Sequence, residues 1–497
     1  MPDDSRGVLA VIVLAAGEGT RMRSATPKVL HTLAGRSMLG HVLTATAAVR
    51  PAYTVVVVGH GAEQVADHVT TLNPQALAVV QEQRKGSGHA AAQGLTAFDE
   101  RDGFVVVVNG DAPLLTAGTV QALVDDHLES GAALTVLTAE VSNPTGLGRI
   151  IRGASGSVTA IVEHADADAD QRQIREVNAG VYAVDTGLLA ASLQRLSTDN
   201  SKGEQYLTDV LGLLVADGHD VRASAAADPD DTLGCNDQVE LAARRRTLND
   251  RILGAWMRLG VTVIDPGTTW VDVDVQLAPG VTVLPGTQLL GATNVSDGAV
   301  VGPDSTLIDT EVGADARVVR THAQLAVVGP EVSVGPFAYL RPGTRLDPGS
   351  KVGTFVETKN AHLGAGAKVP HLSYVGDATI GEGTNIGAAT VFVNYDGVAK
   401  HHTTIGRHAR TGADNMFVAP VTVGDGAYTA AGSVITDDVP SGAMGVARAR
   451  QRNIRGWVRR RRAGTPAAEA AQRALEAQRA LETPSTPEPQ SSEDTVG

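Results

Sequence analysis

Val328-Gly329, Val334-Gly335, Leu340, Leu346 and Val352-Gly353 stand six residues apart, and this spacing decides the fold of the C-terminal half. Leu363-Gly364, Val369 and Val375-Gly376 keep the step. Ile380-Gly381 and Ile386-Gly387 resume it after a one-residue slip, and a second register holds at Ile405-Gly406, Thr411-Gly412, Phe417, Val423-Gly424 and Thr429. From about residue 262 to 440 an aliphatic residue, often followed by glycine, therefore recurs every six. Hexapeptide periodicity is the signature of a parallel β-helix, in which three short strands make a coil and one aliphatic side chain per hexad enters a narrow core. The segment Val391–His402 breaks the period and reads as an outward loop.

Composition agrees with a thin aliphatic core: aromatics are 3% of 497 residues, while glycine occurs 55 times. The formal net charge of −14 argues against nucleic-acid or anionic-membrane binding as the main task. The single cysteine, Cys235, rules out an intrachain disulfide framework and fits a reducing, cytoplasmic setting. No signal peptide is visible, and no apolar run approaches the ~18 residues of a membrane span.

The N-terminal half has a different pattern. Val8–Val13 is a short apolar run of the buried parallel-strand type, and it leads into Leu14-Ala15-Ala16-Gly17-Glu18-Gly19-Thr20-Arg21-Met22, with Pro27-Lys28 beyond. A strand ending in a Gly-rich loop brings backbone N–H groups to an anion, and Arg21 and Lys28 add positive charge beside it, which points to a nucleoside triphosphate. Gly17-Glu18-Gly19 alone is a weak signal: it completes neither a Walker loop nor a dinucleotide fingerprint, and an ordinary strand-to-helix turn has even odds. Further strand candidates at Tyr53–Val58, Phe104–Val108, Leu134–Leu137 and Val177–Val184 alternate with helical segments, as in a mostly parallel α/β sheet.

These features divide the chain into an α/β domain over 1–235, a linker helix over 236–261 capped by Asn236 or Asp237, a β-helix over 262–457 and a tail over 458–497. The tail is Ala-, Glu-, Pro- and Ser-rich and reads as largely disordered, with Ala467–Leu481 able to form a helix.

A Leu-x-x-Gly-x-Gly-Thr-Arg-Met…Pro-Lys start, an α/β nucleotidyltransferase domain, a linker helix and a hexapeptide β-helix together resemble the bacterial bifunctional N-acetylglucosamine-1-phosphate uridyltransferase/glucosamine-1-phosphate acetyltransferase family. The resemblance covers nearly everything to about residue 457. It implies a Rossmann-like front domain, a left-handed β-helix, Mg²⁺, the substrates UTP and acetyl-CoA, a homotrimer and a cytoplasmic role in making UDP-N-acetylglucosamine for cell-wall precursors.

Residue by residue, the resemblance implies UTP contacts at Leu14, Ala15, Gly17 and Gly19, with Arg21 and Lys28 as catalytic, phosphate-facing cations. Gln81, Gly86 and Ser87 match the uracil contacts, and Gly148, Glu163 and Asn178 match positions that hold the acetylated sugar. Asp111 and Asn236 match the Mg²⁺ pair. Without the family, Gln81 reads as a surface residue at a strand end, Asp111 as a turn former, Glu163 as an exposed strand-end carboxylate and Asn236 as a helix cap. Asn109 stands where an aromatic is common in the family.

On the β-helix the polar cluster Glu357-Thr358-Lys359, His371, Tyr374, Asn385, Asn394-Tyr395 and Lys400 matches the acetyl-transfer site. An isolated His371 would be unremarkable; within a few hexads of Lys359, Tyr374 and Asn385 it is less so. An imidazole suits the general base that amine attack on a thioester needs, a role the resemblance gives His371, and Glu357 is expected to orient its ring. Arg341, Lys359 and Lys400 match the sugar-phosphate ligands, while Tyr374, Asn385, Asn394 and Tyr395 match other substrate contacts. Asn394 and Tyr395 also border the acetyl-CoA path along Ala388, Ala413, Ala431 and Arg448. Ala413 replaces a serine common in relatives, which removes one hydroxyl contact.

Two other readings of the same folds remain: a sugar-1-phosphate nucleotidyltransferase of another specificity with a regulatory β-helix, and a non-catalytic regulatory subunit. A dead front domain on a working acetyltransferase is a third. The His371 cluster disfavours the first, and intact Arg21, Lys28 and Asp111 disfavour the other two.

Overall fold

A computed structural model describes residues 8–482. The front domain is built on a nine-stranded sheet: β1 (Val8–Ala15), β2 (Tyr53–Val58), β3 (Leu77–Val80), β4 (Phe104–Asn109), β5 (Leu134–Glu140), β6 (Arg149–Arg152), β7 (Val158–Val162), β8 (Glu176–Asp185) and β9 (Val221–Ala225). Its main path runs β9-β5-β8-β4-β1-β2-β3. β1 pairs in parallel with both β2 and β4, and Ala10 to Val13 are fully buried, because helices cover both faces of the sheet.

On this main path one strand departs from the parallel pattern, and off it β6 and β7 pair antiparallel. β8 runs antiparallel to β4 and β5, with Val181 opposite Val108 and Asp185 opposite Phe104. Its apolar run looks the same from sequence in either direction. The reversal has a consequence for the site, since the first residues of β8, including Asn178, reach the edge where β1 and β4 end. At that edge Leu14 lies beside Asn109, and Gly110 N–H donates to Leu14 O at 2.9 Å. Ligands of open α/β sheets collect at this edge.

The linker helix spans Gln238–Arg258. Asp237 is its cap and accepts from the Val239 and Glu240 N–H groups, both at 2.9 Å. Asn236 therefore lies one residue outside the helix, with its side chain left for the cleft. Further along, buried Asn249 donates to Thr269 O at 2.8 Å and accepts from Val271 N–H at 3.0 Å, which pins the helix to the first coil of the β-helix.

Short parallel strands then wind from Thr262–Val263 to Met444–Gly445, mostly in a seven-stranded and a seventeen-stranded sheet. Residue pairs one coil apart differ by 18 at Trp270↔Gln288 and by 17 at Glu357↔Tyr374, as three hexads per turn require. This is a left-handed hexapeptide β-helix, and its hexad residues from Val328 to Val423 form one continuous core. The two threonines in hexad positions are buried with their hydroxyls satisfied: Thr411 accepts from Gly387 N–H at 2.8 Å and Thr429 from Gly412 N–H at 3.1 Å.

The break in periodicity is narrower than the sequence suggested. Val391–Val393 is a strand paired with Met416–Val418, and Phe392 is buried, so only 394–402 loops outward. The inserted residues stretch the step from Ala378 to its partner Thr403 to 25.

The helix expected over Ala467–Leu481 forms within Pro466–Glu482, and a short helix that the sequence reading did not single out precedes it. Trp457–Arg461 and Pro466–Glu482 are helices that pack together, with Arg459 donating to Gln472 at 3.1 Å and Ala468 buried. An Ala-rich run with Glu469 near its start has enough helix propensity to order this part. The expectation of disorder from Thr483 onward falls outside the described residues. Among the described residues, no helix is long and apolar enough to cross a membrane.

Candidate active sites

Two adjoining clefts open at the C-terminal edge of the front sheet. The first, about 520 Å³, is lined by Leu14, Ala15, Gly17, Lys28, Gln81, Gly86, Ser87 and Asp111 among others. The second, about 890 Å³, includes Arg21, Asp111, Gly148, Glu163, Asn178 and Asn236. Asn109 and Asp111 border both, so the nucleotide and sugar residues named from sequence surround one continuous space. Glu204 was not singled out from sequence, and Asn109 only as a departure from the family pattern. Their polar groups reach the cleft only through the chain path, and Gly180 leaves room for the Asn109 amide, which its Cβ would strike at 2.2 Å.

Four of the named residues form a knot where the clefts meet. Lys28 Nζ is ion-paired with Asp111 Oδ2 and donates to Asn236 Oδ1 at 2.9 Å. Arg21 donates to the same Asn236 oxygen at 2.8 Å. The backbone holds the two oxygen-bearing residues together, because Cys235 N–H donates to Asp111 O at 3.0 Å. Gly19 sets the approach of Lys28. Its φ is +64°, and a Cβ there would lie 2.6 Å from Lys28 Cβ. Burial pushes the neighbouring Cys235 thiol up to about 11, so it stays protonated and unreactive.

Around the first cleft, Gln81 is buried and its amide nitrogen donates to Gly86 O at 3.1 Å, which closes the turn before the helix Ser87–Gly94. Ser87 Oγ accepts from Leu207 N–H at 3.0 Å and keeps its own proton to donate. In the second cleft, Glu163 is largely buried rather than exposed. Burial raises its carboxyl above the usual range, against a hydrogen bond from Thr208 at 3.2 Å. Asn178 donates to Tyr182 OH at 2.7 Å and its backbone N–H donates to Gly148 O at 2.9 Å, so two of the three sugar-pocket residues are tied directly.

On the β-helix, coil stacking assembles a second cluster. Glu357 lies beside Tyr374, and Lys359 beside Gly376. Leu340 pairs with Thr358, which sets Arg341 next to Lys359 on the neighbouring coil. The outward loop brings in the rest. Asn394 donates to Asp377 Oδ2 at 2.5 Å and to Tyr374 OH at 3.4 Å. Lys400 stands close to Lys359, whose ammonium disfavours a second positive charge beside it and holds Lys400 below the ordinary lysine range. Two such adjacent cations make an anion site. Gly376 has no room for a side chain, since a Cβ would lie 2.4 Å from Tyr374 OH.

Asp377 was not singled out from sequence. Burial opposes its charge, but hydrogen bonds from Asn360 and Asn394 and the fields of Lys359 and Lys400 hold its carboxyl below the usual range. The available signal was a carboxylate following a hexad glycine, inside the polar cluster.

His371 is exposed and sits on another column, with Thr354 beside it. Backbone bonds from Ala389 N to His371 O, Asp414 N to Ala388 O and Gly432 N to Ala413 O align His371, Ala388, Ala413 and Ala431 on successive coils. Arg448 lies against Gly432 at the end of this line. Asn385 shares the face, paired with Lys368 and Arg410. Tyr395 is at the loop tip, its hydroxyl donating to Gly397 O at 2.7 Å. Glu357 Oε1 accepts from Arg341 Nη1 at 2.8 Å, because Tyr339↔Glu357 stacking places the guanidinium within reach.

The first domain matches the MobA-like NTP transferase domain over residues 11–191. Along nearly the whole length, the chain is 62% identical to the bifunctional protein GlmU of Streptomyces coelicolor, covering 93% of this chain and 96% of that protein. It is 61% identical to the bifunctional protein GlmU of Streptomyces avermitilis over the same shares, and 57% identical to that of Kineococcus radiotolerans over 94% and 95%. The chain belongs to the bifunctional GlmU family. This is the uridyltransferase/acetyltransferase family that its motifs resemble, so the protein is a nucleotidyltransferase and an acetyltransferase in one chain.

Proposed function

We propose that the β-helix acetylates glucosamine 1-phosphate from acetyl-CoA and that the front domain then transfers uridylyl from UTP to the product, N-acetylglucosamine 1-phosphate. The observation that carries this reading is the pair of separate polar assemblies, one at a sheet edge with the cations Arg21 and Lys28 and one on the β-helix, where Arg341, Lys359 and Lys400 come together and His371 heads a line of small residues on another column.

In the first reaction Arg341, Lys359 and Lys400 hold the sugar phosphate. His371 takes a proton as the amine attacks the thioester carbonyl; a C–N bond forms and the C–S bond to coenzyme A breaks. The line Ala388, Ala413, Ala431 and Arg448 accommodates coenzyme A, with Tyr374, Asn385, Asn394 and Tyr395 around the sugar and acyl group. Glu357 acts through Arg341, whose positive charge it orients.

In the second reaction the sugar phosphate attacks the α-phosphorus of UTP in line, and pyrophosphate leaves. Leu14, Ala15, Gly17 and Gly19 line the nucleotide loop, Gln81, Gly86 and Ser87 read the base, and Gly148, Glu163 and Asn178 hold the acetylated sugar. Arg21 and Lys28 neutralise phosphate charge, since such reactions need positioning more than covalent help. The donor set at the knot fits Mg²⁺: a carboxylate and an amide oxygen already converge on one cation, the Lys28 ammonium, and the hard ion prefers such oxygens. Asp111 and Asn236 would hold it, and bound Mg²⁺ supplies charge neutralisation to the triphosphate.

We further propose a cytoplasmic homotrimer. Phe337, Phe355 and Leu372 are more than half exposed along a corner beside His371, and the two phenylalanine rings stack at 5.4 Å. An apolar ridge of this kind suits packing between subunits.

The test is a mass-spectrometric product assay with UTP and either hexosamine phosphate, with and without acetyl-CoA. UDP-N-acetylglucosamine should form from glucosamine 1-phosphate only when acetyl-CoA is present, and from N-acetylglucosamine 1-phosphate without it. Another nucleotide sugar as the main product would overturn the reading.

A further inference from the structure

Arg149 is the largest side chain that the fold buries completely, with 1% of its surface exposed. The charged group that bears on it is another cation, Arg172, and burial holds the guanidinium below its ordinary value. Among the described residues its Nε has no hydrogen-bond partner. A leucine or methionine would fill the same space without the penalty of a buried, incompletely paired charge.

What the guanidinium does bind is informative. Nη1 donates to Leu147 O. Nη2 donates to His164 Nδ1 at 3.1 Å and lies 3.4 Å from Arg172 O. The guanidinium can only donate, so His164 accepts through Nδ1 and carries any neutral-ring proton on Nε2. Leu147 precedes Gly148, and His164 follows Glu163; both Gly148 and Glu163 line the second cleft. They face each other closely, since a Cβ on Gly148 would lie 3.6 Å from Glu163 Oε1. Arg149 thus stands behind the wall of the cleft and ties the loop on one side to the turn on the other, with the turn Gln171–Gln173 adjoining through Arg172.

We propose that Arg149 is a positioning residue for the sugar half of the uridyltransferase site, setting the gap between Gly148 and Glu163 that admits the N-acetylated sugar phosphate. This rests on the assignment of the second cleft to that sugar. A planar fork with several donors in fixed directions suits the task, and lysine, a point charge on a flexible stem, suits it less well. The guanidinium touches no cleft surface itself, so its effect falls on binding of the sugar phosphate and not on the nucleotide.

The experiment uses the full chain with Arg149→Gln and Arg149→Lys, measuring KM for N-acetylglucosamine 1-phosphate and for UTP, kcat, the acetyl-transfer rate and the thermal midpoint. Arg149→Gln should raise the sugar-phosphate KM by about tenfold or more, and Arg149→Lys by less. The UTP KM and acetyl transfer should stay within about twofold, as expected of separate sites. An unchanged sugar-phosphate KM in Arg149→Gln would overturn the role of Arg149, as would equal rises in both KM values. Wild-type protein that uses glucose 1-phosphate as well as the acetylated sugar would instead overturn the assignment of the cleft.

Discussion

Lys28 Nζ lies on Asp111 Oδ2 at the meeting point of the two front clefts, and Asn236 Oδ1 accepts from the same ammonium at 2.9 Å. The lysine therefore occupies the place between two oxygens of the kind that suits a divalent cation. On the proposed reading, nucleotide phosphates would compete for Lys28 and Mg²⁺ for Asp111 and Asn236, so triphosphate and metal should bind together more readily than either alone.

Asp111→Ala removes the only carboxylate of this knot. It should abolish Mg²⁺-dependent uridylyl transfer while leaving acetyl transfer within about threefold, since the β-helix cluster shares no residue with it. Parallel assays of both reactions on the purified variant check this. Loss of both activities in a folded protein would contradict two independent sites.

His371→Ala should lower acetyl transfer by at least about a hundredfold, the ordinary scale of a general base, with UTP-dependent activity retained. His371 is exposed at the head of the Ala388, Ala413, Ala431 line, so the substitution leaves little cavity and the fold should persist. Normal acetylation between pH 7 and 8 would assign the proton transfer to another group.

How much of this was legible in the sequence follows from what each signal depends on. The hexads are legible as runs of constant step because each core position is occupied in turn, and even Thr411 and Thr429 keep the step within their run. The direction of β8 leaves no trace, since Val177–Val184 reads as the same apolar run either way. Side-chain partners on the β-helix were harder. Coil steps vary from 16 residues at Glu311↔Val327 to 25 at Ala378↔Thr403, so sequence distance does not say which residues stack. That is why the Glu357–Arg341 pair and the place of Asp377 are visible only in the folded structure. The placements of Gln81, Gly148 and Glu163 came from family resemblance, because lone polar residues at strand ends carry no pattern of their own. Arg149 gave no signal either, as an arginine at a strand start is ordinarily exposed.

The buried His127 gives a pH dependence. Burial lowers its pKa from 6.5 to about 4, with the ring bonded to Thr135 at 3.0 Å and packed on Phe104. The unfolded chain then binds the proton first as pH falls. Stability from this group is intact above pH 6.5, is lost between 6.5 and about 4, and changes no further below that. The loss is roughly 3 kcal/mol at most. Urea midpoints of the front domain at pH 7 and 5 should converge in His127→Gln relative to wild type, although the variant is less stable overall. An unchanged difference between the two pH values would place the titration elsewhere.

The last prediction joins Ala413 to the tail. Ala413 is exposed on the His371 line, so Ala413→Ser adds a hydroxyl without crowding the core. If coenzyme A runs along this line, the added donor should lower the KM for acetyl-CoA by up to about tenfold, the worth of one hydrogen bond of about 0.5–1.5 kcal/mol. An unchanged KM and rate would mean that a backbone group or water already fills the contact. The helix Pro466–Glu482 lies beyond this line and packs on Trp457–Arg461, with Ala468 its one buried residue. So little apolar contact anchors it weakly. Truncation after residue 462 should therefore leave both reactions, and the effect of Ala413→Ser, unchanged. A truncated protein that loses acetyl transfer alone would show that the helix belongs to the coenzyme A site, and one that loses both activities would show that it is needed for the fold.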